Sequence, residues 1–78
     1  MQVDRKLVAK YVWTEKAGNI LFKQRKLNNL SRQDIATAID NHQSYIQKLE
    51  KGEFETIPAD SLDLICKIFR ITIEDILT

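Results

Sequence analysis

Between His42 and Gly52 the chain reads HQSYIQKLEKG, and on a helix stepping about 100° per residue its side chains divide into two faces. Ile46 and Leu49 point one way, flanked by His42 and Glu50. Ser44, Lys48 and Lys51 point the other way, with Gln43 and Gln47 at the margin. That outer face carries amides, a hydroxyl and two ammonium groups but no carboxylate. Such groups donate hydrogen bonds to purine edges and to phosphates. Catalytic chemistry has no comparable support. His42 is the one histidine and has no nucleophile or carboxylate at catalytic spacing, so it reads as a cap-region residue able to approach a phosphate. The pairs Glu53/Glu55 and Glu74/Asp75 read as solvated surface. With no glycine-rich phosphate loop, no CxxC and no Cys/His cluster, neither an enzyme, a metal nor a cofactor is expected. Cys66, the single cysteine, sits at a core position of LDLICKIF and reads as a small buried hydrophobe rather than a reactive thiol.

The elements around this face follow from local signals. Ser31 is an N-cap with Asp34 three residues on, a capping box for a helix whose apolar stripe is Ile35, Ala36 and Ile39. Asp40–Asn41 breaks the stripe with residue types that tolerate the left-handed backbone of a tight corner. The helix at about 42–51 follows and Gly52 ends it. Upstream, Thr14 caps a helix at about Glu15 to Leu27, with Ala17, Ile20, Leu21 and Gln24 inward, Lys23 and Lys26 outward, and Asn28–Asn29 as the stop. Gly18 weakens that helix by up to about 1 kcal/mol relative to Ala, for which close packing is a reason. Downstream, Ile57–Pro58 opens a fourth helix reaching Phe69 or Arg70, burying Leu62, Ile65, Cys66 and Phe69. Thr72 and Asp75 form a second capping box for a short fifth helix, with Ile73, Ile76 and Leu77 packing down.

The pattern LSRQDIATAI, a corner, then SYIQKLEKG resembles the helix-turn-helix of the phage repressor and Cro family, also described as xenobiotic-response-element-like regulators. The resemblance runs from about Gly18 to the C-terminus, with the helix-turn-helix proper at 31–52. It implies an all-α, compact five-helix, lambda-repressor-like DNA-binding domain. It further implies a sequence-specific double-stranded DNA-binding regulator, a repressor, with the helix at about 42–51 in the major groove. Arg32 would clamp a phosphate, Gln43, Ser44 and Lys48 would read bases, Gln47 would lie alongside and Lys51 would reach the backbone. Tyr45, where the family often has a small residue, either bonds a phosphate or packs against the second helix. The resemblance also implies an ion pair between Arg25 and Glu50. Glu53 and Glu55 depart from the family, which often places cationic or amide side chains there. Phe54 either plugs that loop onto the core or meets a partner.

Seventy-eight residues make one domain with little room for a deep catalytic cavity. The net charge is only +1, yet residues 1–30 carry seven Lys/Arg against two Asp/Glu, while residues 52–78 carry two against six. The local field governs encounter with nucleic acid, so a weak total does not oppose it. No signal segment or membrane-length apolar run is visible, and the cytoplasm is the expected location. Residues 1–13 (MQVDRKLVAKYVW) form an extension to a domain spanning 14–78. Val3, Leu7, Val8, Tyr11 and Val12 give a helical stripe, the first reading; the alternation Leu7, Ala9, Tyr11, Trp13 gives an edge strand, the alternative. This apolar segment either pairs two subunits or folds over its own core. One recognition helix spans few base pairs, so a homodimer on a palindromic operator is expected. The alternative from another class is a protein-interaction module, an antitoxin or adaptor, binding a protein partner through the extension or the acidic loop after the third helix.

Overall fold

The computed structural model describes residues 9–77. In chain order these form strand β1 (Lys10–Val12), helices α1 (Glu15–Leu27), α2 (Arg32–Ala38) and α3 (Gln43–Glu50), strand β2 (Thr56–Pro58), and helices α4 (Ala59–Phe69) and α5 (Ile73–Leu77). The five helices are those expected, but the domain is not purely helical. β1 and β2 pair antiparallel, with Lys10 opposite Pro58, Tyr11 opposite Ile57 and Val12 opposite Thr56.

Over the described part of the extension, the strand alternative replaces the helix. The period of two explains it. Trp13 is buried and Tyr11 half-buried against the core, while Lys10 and Val12 face solvent. The Trp13 N–H donates to the Glu55 carbonyl (2.9 Å), and its indole Nε1–H donates to the Leu49 carbonyl (2.8 Å), tying the strand to the end of α3. The other hypothesised extension contacts, at Val3, Leu7 and Val8, lie outside the described residues. Pro58 does not lie within α4; it is the last strand residue and the N-cap position, and its fixed φ of −60° suits both.

The core is one cluster. Leu21 of α1, Ile35 of α2, Ile46 and Leu49 of α3, Ile57 of β2, Leu62 and Ile65 of α4 and Ile76 of α5 are all fully buried within it. Ile20, Ile73 and Leu77 are only partly buried at its margin. The helix ends share one device. After α1, α2, α3 and α4 a left-handed residue (Asn29, Asp40, Gly52 and Arg70, φ 55° to 71°) reverses the chain. In each case the following residue's N–H reaches back across the last turn: Leu30 to Arg25, Asn41 to Ala36, Glu53 to Lys48 and Ile71 to Cys66. This is the Schellman arrangement, which satisfies carbonyls the helix leaves without partners.

Candidate nucleic-acid interface

The α2–turn–α3 unit is built by its caps. Ser31 Oγ accepts from the Asp34 N–H (3.0 Å), and Asp34 Oδ2 accepts from the Ser31 N–H (2.8 Å). Those two hydrogen bonds hold the Asp34 carboxyl below its ordinary range. At the corner, Asp40 takes the left-handed conformation (φ 55°) and Asn41 Oδ1 accepts from the His42 N–H (2.9 Å). His42 is the N-cap of α3, not its first residue; its Nδ1 accepts from the Ser44 N–H (3.2 Å) and lies 3.0 Å from Ser44 Oγ. Since the Ser44 N–H can only donate, Nδ1 is the acceptor in that contact.

Gln43, Ser44, Gln47, Lys48 and Lys51 are all exposed, so the side chains expected on the outer face of α3 lie uncovered together. Tyr45 stands apart from them. It is half-buried with its ring 5.0 Å from Phe54, and burial raises its phenol pKa. Of the two readings of Tyr45, packing describes its ring, although the neighbour is Phe54 of the following loop. Phe54 itself packs against the core cluster. Glu53 and Glu55 are exposed in that loop.

Beneath the face lies a charged cluster larger than a pair. Arg25 Nε donates to Glu50 Oε2 (2.6 Å), a second guanidinium nitrogen reaches Oε1 (3.3 Å), and Nη1 donates to the Leu30 carbonyl (3.1 Å). Arg32 Nε also donates to Glu50 Oε1 (3.0 Å). The Arg25 and Glu50 side chains are 6% and 4% exposed, but that of Arg32 is 39% exposed, so the cluster runs from the interior to the surface at the start of α2. Arg32, expected only as a phosphate clamp, is therefore already held by Glu50. No sequence signal distinguishes the two roles, because they need the same cation at the same place.

Two glycines let α3 lie close to α1. A Cβ on Gly18 would fall 2.6 Å from the Glu50 carbonyl oxygen and closer still to that of Leu49. Gly52, already at positive φ, would press a Cβ to 2.6 Å from Glu15 Cα. With the indole of Trp13 on the Leu49 carbonyl, these contacts fix the last turn of α3 against α1. Sequence reading missed the part played by Trp13, because its partner is a backbone carbonyl 36 residues away.

A family model for the Cro/C1-type helix-turn-helix DNA-binding domain matches residues 21–78. The chain belongs to that family. This Cro/C1-type domain has the fold of several solved regulators. The biofilm master regulator SinR, solved in complex with DNA, superposes with a TM-score of 0.72 at 16% identity, covering 80% of this chain and 98% of that one. The restriction-modification controller protein C.AhdI from Aeromonas hydrophila gives 0.69 at 20% identity, covering 78% and 91%. The clp gene regulator ClgR from Corynebacterium glutamicum gives 0.71 at 23% identity, covering 81% of this chain and 67% of that one. No curated protein matches in sequence. By family the chain is thus a Cro/C1-type DNA-binding domain, and that family is not a class of enzymes. Among the described residues no group of His, Cys, Asp and Glu is placed to hold a metal, and no helix is long and apolar enough to cross a membrane. Cys66 is buried in the core, and burial, then the carboxylates of Asp63 and Asp75, raise its thiol pKa.

Proposed function

We propose that this domain is a cytoplasmic repressor that binds a palindromic operator as a homodimer, with α3 in the major groove. The observation that carries the reading is the exposed, carboxylate-free face of α3, on which Gln43, Ser44, Gln47, Lys48 and Lys51 stand free of the core. Lys48 donates to guanine O6 and N7, and Gln43 pairs with adenine N6 and N7. Ser44, exposed on the same face and 3.0 Å from His42 Nδ1, offers a hydroxyl to a base edge. Lys51 lies toward the phosphate backbone. Arg32 clamps a phosphate with the guanidinium nitrogens that Glu50 leaves to it, because Glu50 engages its Nε. Tyr45, anchored on Phe54, supports the helix from its flank.

Selection of bound duplexes from a random pool tests this reading. Lys48→Ala is expected to lose about 1–3 kcal/mol and to relax the preference at one base pair. Arg32→Ala is expected to weaken all sequences alike and to reduce the salt slope by about 1. Identical sequence profiles for the two variants would refute this division of labour. A second reading, a module that binds a protein, draws support from Leu27 and Phe22, which are 75% and 39% exposed on α1. It predicts duplex binding that is weak, lost at high salt and without sequence preference.

A further inference from the structure

The two strands offer solvent unequal edges. The Trp13 N–H donates to the Glu55 carbonyl, and the Ala59 N–H donates to the Ala9 carbonyl, both at 2.9 Å. In an antiparallel pair alternate residues turn their backbone groups toward the partner strand. In this register Ala9, Tyr11 and Trp13 face β2, so the N–H and C=O groups of Lys10 and Val12 face away from it. On β2 the residues facing outward are Thr56 and Pro58, and Pro58 has no N–H to give, which closes that edge to a further strand. The outer edge of β1 keeps both donors and both acceptors. Among the described residues no hydrogen bond reaches them, and Val12 is 71% exposed beside them.

We propose that this edge pairs with the same edge of a second copy, antiparallel about a two-fold axis at Tyr11, giving one sheet in the order β2–β1–β1–β2. Self-pairing suits the edge for three reasons. A two-fold interface needs a surface complementary to itself, and Lys10 and Val12 exchange four hydrogen bonds when each lies opposite the other. That register also keeps Lys10 from facing Lys10, as a shift by two toward the N-terminus would require. It lays the lysine stem over Val12, with the ammonium in water. On the core side the axis brings the two Tyr11 rings together. Four hydrogen bonds make a weak dimer, reinforced when adjacent half-sites hold both copies. The inference deepens the dimeric reading above and rests on it.

The test uses the full chain with Cys66→Ala, carrying either Lys10→Cys or Val12→Cys, concentrated in solution without DNA under mild oxidation. Residues opposite each other in a hydrogen-bonded antiparallel pair have Cα atoms about 5.5 Å apart, within the roughly 4.4–6.8 Å that a disulfide spans. An equimolar mixture of the two variants is expected to give a covalent dimer, while each variant alone stays monomeric. Self-crosslinking of Val12→Cys, or no covalent dimer from a mixture whose Trp13 emission reports a folded core, would overturn the proposal. Sedimentation supplies an independent measure. Val12→Pro removes a donor from the free edge and leaves the β2 ladder intact, so loss of self-association is expected; unchanged association overturns the proposal. The mass bound to a selected duplex separates the two levels. Two chains per duplex without crosslinking reject the edge alone, and one chain per duplex rejects dimeric binding itself.

Discussion

Glu50 joins two arginines of unequal burial, and that inequality predicts an order of stabilities. Glu50→Leu strands Arg25, whose side chain is 6% exposed and keeps only the Leu30 carbonyl and the Phe22 ring, 5.4 Å away, as neighbours. Leaving one member of a buried pair uncompensated costs about 3–5 kcal/mol. Arg25→Met removes two hydrogen bonds from Glu50 but leaves the one from Arg32 Nε at 3.0 Å. A retained charge-assisted hydrogen bond contributes about 1.5–3 kcal/mol, so the loss on Arg25→Met should be smaller, about 2 kcal/mol. The double variant Arg25→Met, Glu50→Leu strands no buried charge, because Arg32 is partly open to water, and should lose less than either single variant. In a domain of this size 1 kcal/mol shifts Tm by about 4–8 °C, so the three variants are resolvable. Urea unfolding followed by the emission of Trp13, the single tryptophan, is the assay. Additive losses in the cycle, or a greater loss for Arg25→Met than for Glu50→Leu, would refute the account of Arg32 as a reserve partner.

Three further outcomes follow from local geometry. Gly18→Ala, which helix propensity alone would favour by about 1 kcal/mol, should instead destabilise by roughly 1–3 kcal/mol or more, since the new methyl meets the Leu49 and Glu50 carbonyls; a higher Tm would show that α1 and α3 can separate freely. Arg70→Gly should stabilise by about 1 kcal/mol in the same denaturation assay, because an exposed arginine occupies the left-handed position at φ 60°. The lowered pKa of Asp34 makes its contribution to stability complete above its unfolded value, near 4, and lost as pH falls through its lower folded value. Asp34→Asn should therefore flatten the acid side of the stability profile, and an unchanged slope between wild type and variant would contradict that linkage.

Most of the helical frame was legible because its signals are short-range. Thr14, Ser31 and Thr72 each bond a backbone N–H three residues on, so caps and helix starts depend on neighbours that any window of the sequence contains. Asn29, Asp40 and Gly52 sit where the left-handed reversals occur, and the apolar stripes of α2, α3 and α4 point to the core as their spacing requires. The strands were less legible. The alternation through Tyr11 and Trp13 gave β1 only as the alternative to a helix, and Thr56–Pro58 reads as loop until Lys10–Val12 is brought alongside it.

What the chain determines by itself is therefore the order of the helices, their caps and the polar composition of one face of α3, all of which arise within a few turns. Tertiary structure alone decides what that face is held by. Trp13 finds the Leu49 carbonyl across 36 residues, Gly18 admits the carbonyls at the end of α3, and Glu50, whose pairing with Arg25 the family resemblance implied, gathers Arg32 as well. Only folding supplies these partners, because burial leaves each polar group to the few atoms that packing brings within reach.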